Sequence, residues 1–212
     1  MRKLSQKDIL TGQDLTQRDV WLIFETAKEM KHAHYRGERP KLLDGKSLGM
    51  IFEEPSTRTR VSFEVAMNQL GGDALYLRPG ELHLGGRETV GDTARVLSRY
   101  VDAIMARLLK HETLIELAKY ATVPVINGLT DLFHPVQTVS DVYTMWERFG
   151  DLNKIKVAFL GDATNVANPL LILTSKLGIN FTFCSPKKYW PKELVMEMIK
   201  ENVKETGVAP TL

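Results

Sequence analysis

Apolar residues Val20, Leu22, Ile23, Ala27 and Met30 recur at helical spacing behind Thr16, a residue suited to capping, and predict a helix over residues 16–32. The short apolar run SLGMIF at 47–52 predicts a strand. The polar stretch EEPSTRTR follows as a loop, and then a helix over 61–70 that stops at Gly71 and Gly72. The alternation continues with a strand at 74–77, a helix at 90–100, the apolar strand VDAIMAR, a helix at 113–120, a strand at 123–127 and a helix at 138–148. A glycine-rich stretch, RPGELHLGGRET, separates the second strand from its helix. Strands alternating with helices at this spacing predict parallel pairing, because a parallel connection needs a crossover.

The pattern changes character around FGDLNK at 149–154, which places a domain boundary there, with residues 1–150 in one domain and 151–212 in another. Beyond it, KVAFLGD reads as a strand, NVANPLLILTSKLG as a helix ended by Gly178, NFTFCSP as a second strand and residues 191–205 as a helix. The expected fold is α/β: a four-stranded parallel sheet flanked by helices, then the opening βαβ unit of a second, Rossmann-like domain. A domain with only two strands leaves an edge uncovered, so the chain reads as a fragment of a longer one.

Composition narrows the partners more than the fold. The chain is 43% hydrophobic and 25% charged, enough apolar material for a core without a metal or disulfide staple. A formal net charge of +2 argues against nucleic acid as the main partner. One cysteine, Cys184, excludes an internal disulfide and points to a reducing compartment. Its apolar neighbours give it the reading of a small buried hydrophobe rather than a nucleophile. The amino terminus, MRKLSQKDILTG, lacks the apolar core of a signal peptide, and no run approaches the ~18 apolar residues of a membrane span. A cytoplasmic protein without membrane contact is expected.

The chemistry concentrates in Ser56, Thr57, Arg58, Thr59 and Arg60, between a strand and a helix. Hydroxyls, guanidinium forks and the amides of a helix amino terminus are what a phosphate needs. Solvated arginines beside a capping Ser or Thr explain the same residues equally well, and the residues alone do not choose.

The segment FEEPSTRT resembles the phosphate-binding signature of the aspartate/ornithine carbamoyltransferase family. VSFEVAMNQLGG, ETVGDTARVLSRYVDAIMAR, VPVINGLTDLFHPVQ and AFLGDATNVAN resemble further family segments, in the family's order. The resemblance implies that Ser56, Thr57, Arg58 and Thr59 hold the phosphate of carbamoyl phosphate, and that Arg107 reaches its carbonyl oxygen and phosphate. It implies that His134 and Gln137 contact the carbamoyl oxygen and amide. Arg58, Arg107, His134 and Gln137 are thereby the expected catalytic residues, with no cofactor and no metal. Stabilising the oxyanion and the departing phosphate needs no covalent intermediate. Without the resemblance, Arg107 has a plainer reading as a partner of Glu53 or Glu88, and His134 as a cap.

His83 departs from the family pattern. The family brings a glutamine or lysine into the site on a flexible loop from a neighbouring subunit, and His83 stands at the glutamine position. It retains a donor for phosphate. A loop shared in this way implies a homotrimer or a multiple of it. Asn165, in GDATNVAN, matches an asparagine that contacts the α-groups of ornithine, whereas relatives acting on putrescine tend to carry glutamine there. Ornithine is therefore the expected acceptor and putrescine the alternative. GDATNVAN lacks the G-x-G-x-x-G pattern, which weakens a dinucleotide reading. The family's later motifs (an Asp with a Ser-Met-Gly loop, a Cys-Leu-Pro loop and a final arginine) have no counterpart before Leu212. Their absence keeps a non-catalytic anion-binding relative in play.

Overall fold

The computed structural model describes residues 3–82, 86 and 88–212, so His83 lies outside the described residues. Four strands, β1 (Ser47–Phe52), β2 (Asp73–Leu77), β3 (Ala103–Arg107) and β4 (Val125–Leu129), form a parallel sheet in the order β2-β1-β3-β4. Two more, β5 (Lys156–Leu160) and β6 (Asn180–Cys184), pair in parallel as a second sheet. The helices are α1 (Gln17–Tyr35), α2 (Thr57–Gln69), α3 (Val90–Leu97), α4 (His111–Tyr120), α5 (Pro135–Phe149), α6 (Ala167–Leu177) and α7 (Glu193–Thr206). This is the α/β architecture with a parallel sheet that the alternation predicts.

Both faces of the first sheet are covered, and strand alternation sorts its side chains between them. Ile51, Ile104 and Ala106 join Val90 and Ala94 of α3 and Leu114 and Leu117 of α4. Leu48, Met50, Phe52 and Met105 point the other way, onto Met67 of α2. A third cluster runs across the 150/151 junction: Phe24 of α1, Phe133, Val142 of α5, Leu171 of α6, and Phe181 and Phe183 of β6 share one apolar core. Residues 167–176 of α6 are all buried, and the polar side chains of Asn168, Thr174 and Ser175 each donate to a backbone carbonyl.

Several boundaries differ from the sequence reading. α2 begins at Thr57, four residues before the apolar periodicity starts, so the STRT residues occupy a helical turn rather than a loop. Only Met67 of this helix is buried, which is why its polar first turn gave no periodic signal. α5 starts at Pro135, where the fixed φ and missing N–H of proline suit the first helical position. Cys184 is exposed rather than buried. In β6 the exposure alternates, with Phe181 and Phe183 inward and Asn180, Thr182 and Cys184 outward, so the apolar run hid a one-sided strand.

Candidate active site

The chain leaves β1 toward β2 on one side of the sheet and reaches β3 on the other. At such a reversal the loops after adjacent strands diverge and open a crevice at their carboxyl ends, where ligands bind in open α/β sheets. Three segments meet there: the turn after β1 with the start of α2, the end of β3, and the turn after β4 with the start of α5. They enclose a cleft of about 470 Å³ lined by Ser56, Arg58, Thr59, Arg107, His134 and Gln137, with Ser62, Ser140 and Asp141 at its wall.

At the first segment, Ser56 is the N-cap of α2 in extended backbone, φ −148° and ψ 112°, but its side chain makes no capping bond. The first turn holds no acidic residue. Its amides and the positive end of the helix dipole are therefore left for an anion. Arg58 stands exposed beside them, whereas Arg60 turns away, stacking 4.0 Å over the ring of Tyr76 and pairing with Glu64 at 3.3 Å. The two arginines of the motif thus separate into one facing the cleft and one fastening α2 to β2. Thr57 lines a neighbouring cavity on the far side of α2 with Arg39 and Glu64, rather than the cleft.

At the second segment, the β3–β4 register shifts between Ala106 and Arg107, so that Arg107 pairs with Leu129. A bulge of this kind re-aims the side chain at a strand end. The Arg107 Nε is buried with no hydrogen-bond partner among the described residues. The plainer reading, pairing with Glu53 or Glu88, is not where those carboxylates bond. Glu53 accepts from the Leu109 backbone N–H at 2.5 Å and Glu88 from the Thr93 hydroxyl at 3.4 Å. Glu53 therefore braces the turn after Arg107 through its backbone.

At the third segment, His134 is the N-cap of α5 but makes no side-chain capping bond. Its Nδ1 is buried without a partner among the described residues. Burial, and then the positive charge of Arg107, push its pKa down from 6.5 to about 4. The ring is neutral at physiological pH and offers one N–H to a neighbour without adding charge. Gln137, one turn into α5, donates to Asp141 at 2.8 Å. Burial raises the Asp141 carboxyl, and the bond from Gln137 opposes the rise.

Asn165 precedes α6, whose N-cap is Val166, so it does not cap that helix. Its Nδ2 donates to the carbonyl of Thr130 at 3.0 Å, across to the turn after β4. Next to the cleft it lines a smaller cavity of about 210 Å³ with Glu54, Arg107 and Asp131. Ser62, Ser140 and Asp141 were not singled out from sequence. Helical spacing was the available signal, since Ser62 lies three residues after Thr59 and Asp141 four after Gln137. Among the described residues no cluster of three or more His, Cys, Asp or Glu side chains could hold a metal ion. No described helix is long and apolar enough to cross a membrane.

Residues 7–147 match the model of the aspartate/ornithine carbamoyltransferase carbamoyl-P binding domain, and residues 153–212 that of the Asp/Orn binding domain of the same family. An anabolic ornithine carbamoyltransferase of Pyrococcus furiosus is 52% identical over 204 residues, 96% of this chain and 65% of that protein. A putrescine carbamoyltransferase of Mycoplasma capricolum is 50% identical over 216 residues, 97% of this chain and 59% of its own length. The chain thus spans less than two thirds of these relatives. The solved ornithine carbamoyltransferase of Pyrococcus furiosus superposes with a TM-score of 0.96 at 50% identity, covering 100% of this chain and 68% of that one. With both domain models matched in order and half its residues shared with named members, the chain belongs to the aspartate/ornithine carbamoyltransferase family.

Proposed function

We propose that this chain carries the carbamoyl-phosphate site, and the start of the acceptor site, of an ornithine carbamoyltransferase. The reaction moves the carbamoyl group from carbamoyl phosphate to the side-chain amine of L-ornithine, giving L-citrulline and phosphate. The observation that carries this reading is the cleft in which Ser56, Arg58, Thr59, Arg107, His134 and Gln137 converge from three segments.

Ser56, Arg58 and Thr59 hold the phosphate, and Thr57, whose side chain faces away from the cleft, contributes its backbone N–H with the other first-turn amides of α2. The neutral amine attacks the carbonyl carbon, and negative charge develops on the carbonyl oxygen. The C–N bond forms, the C–O bond to phosphorus breaks, and the amine's proton leaves with the phosphate. Arg107 and His134 stabilise the oxyanion, and Gln137 orients the carbamoyl amide. Each such donor contributes about 3–4 kcal/mol to the transition state. Asn165 contacts the α-groups of ornithine. No cofactor enters this scheme. The domain division at 150/151 places the carbamoyl phosphate residues in the first domain and Asn165 in the second. His83 of a neighbouring subunit completes the phosphate site in a cytoplasmic homotrimer or a multiple of it.

Putrescine is the second reading of the acceptor, favoured by a named putrescine carbamoyltransferase at 50% identity. Isothermal titration with phosphonoacetyl-ornithine and phosphonoacetyl-putrescine tests the proposal. Tighter binding of the ornithine compound is expected. Preference for the putrescine compound overturns the acceptor but keeps the reaction class. No binding of either leaves an incomplete enzyme or a non-catalytic relative, and phosphonoacetamide, which needs only the carbamoyl phosphate residues, separates the two: its failure to bind overturns the carbamoyl-transfer reading.

A further inference from the structure

His111 is a buried histidine, 3% exposed, that takes no part in the chemistry above. It opens α4, and its hydrogen bonds and ring contact reach one turn, residues 130–133. Its backbone N–H donates to Asp131 at 2.9 Å. Its Nδ1 lies 3.1 Å from the Thr130 Oγ1, and its ring meets Phe133 edge-on at 4.8 Å between centroids. The turn itself is closed by Thr130 N–H donating to the Phe133 carbonyl at 2.9 Å, with the Phe133 N–H reaching Thr130 Oγ1 at 3.3 Å. His134 is the next residue.

The second domain holds the same turn from the other side. Asn165 Nδ2 donates to the Thr130 carbonyl at 3.0 Å, and Asn168 Nδ2 to the Leu132 carbonyl at 3.1 Å. Thr130 therefore joins His111 through its hydroxyl and Asn165 through its carbonyl. Burial lowers the His111 pKa against the opposing pull of Asp131, Glu112 and Asp14, so the ring is neutral and packs as an uncharged wedge.

We propose that His111 is a positioning residue that, through Thr130 and Phe133, sets the placement of His134 toward carbamoyl phosphate and of Asn165 toward the acceptor. The proposal rests on the carbamoyltransferase reading of the cleft. It extends that reading by coupling the two substrate subsites through one turn. Rigid support behind a reacting group matters because a displacement of about 1 Å costs on the order of a hundredfold in rate.

The test uses the 212-residue chain and its variants His111→Phe, which keeps the ring and its edge contact but removes the nitrogens, and His111→Asn, which restores a donor. Thr130→Val removes the other end of the bond. The probe is phosphonoacetyl-ornithine in calorimetry, together with the His134 ring and Asn165 amide resonances at pH 7. His111→Phe and Thr130→Val are each expected to weaken the probe about ten- to a hundredfold and to shift both resonances. The double variant should lose no more than either single one, because both remove the same bond. His111→Asn should recover part of the affinity. Affinity within threefold of the parent and unmoved resonances in His111→Phe and Thr130→Val would overturn the proposal. Loss of the far-ultraviolet dichroism in both variants would also overturn it, by assigning His111 to folding instead. If the parent binds neither this probe nor phosphonoacetamide, the carbamoyltransferase reading fails, whereas the resonance shifts still report on the proposed coupling.

Discussion

The protonation of His134 gives the sharpest test of the site's electrostatics. An ordinary histidine titrates near 6.5, whereas burial and the neighbouring Arg107 hold this one at about 4. At pH 6 that leaves about 1% of the ring protonated, against roughly three quarters for an ordinary histidine. The sign for stability follows. Between pH 6.5 and about 4 the unfolded chain binds a proton that the folded chain refuses, so folding weakens as the pH falls through that window and is unaffected above it. The full gap corresponds to about 3 kcal/mol, and solvent contact of the half-buried ring reduces it to ~1–2 kcal/mol. Carbon-13 labelling of histidine, with His134 assigned by its loss in His134→Gln, reads the ring directly. Its resonance should stay at the neutral position down to pH 5 and move only below. A phosphonate dianion bound beside Arg107 offsets that positive charge, so the midpoint should rise on adding phosphonoacetamide. A ligand-free midpoint between 6 and 7 would refute the assignment of a desolvated, neutral donor.

Other outcomes follow from the same geometry. Arg58→Ala should abolish measurable binding of phosphonoacetamide in calorimetry without unfolding the chain, because Arg58 is exposed; unchanged affinity removes it from the phosphate site. Asp19, buried at the start of α1, accepts from the backbone and hydroxyl groups of both Ser5 and Thr16. Burial works to raise its pKa, but those bonds outweigh it and bring the carboxyl to about 2. Asp19→Asn should therefore cost about 1–2 kcal/mol at pH 7, or roughly 2–8 °C in Tm, and the deficit should shrink as the pH falls from 4 toward 2; a thermal scan showing no change would count against it. At Gly128 in β4 a Cβ would fall 2.4 Å from the sulfur of Met105, which is fully buried and has no solvent to move into. Gly128→Ala should lower stability by about 1–3 kcal/mol and weaken phosphonoacetamide binding, since Met105 lies two residues before Arg107; normal Tm and affinity would show that the thioether yields freely.

The order of elements was legible because burial is two-sided. β1 and β3 are covered on both faces and so read as unbroken apolar runs, and α3 and α4 carry a clear apolar stripe. α2 defeated the same reasoning at its start, since its first turn exposes Thr57 and Arg58 and has no apolar residue to show. The motif residues could be named from sequence, but the split between Arg58 and Arg60 could not. It depends on Tyr76, sixteen residues away, standing on the neighbouring strand as a platform for Arg60. His111 was invisible for a similar reason: its partners lie nineteen and more residues further on and meet it only when β4 pairs with β3. Cys184 was misread because an apolar sequence run does not reveal that a strand has one covered face.

That outward thiol has a practical use. The chain holds one cysteine, it is exposed, and it lies on β6, a strand of the sheet that begins the second domain. A single maleimide fluorophore can therefore be attached without first removing competing thiols, at a position whose inward neighbours Phe181 and Phe183 stay fixed in the core. With a second label placed on α2, the pair becomes a ruler across the cleft, able to report whether a bound phosphonate changes the distance between the two sheets.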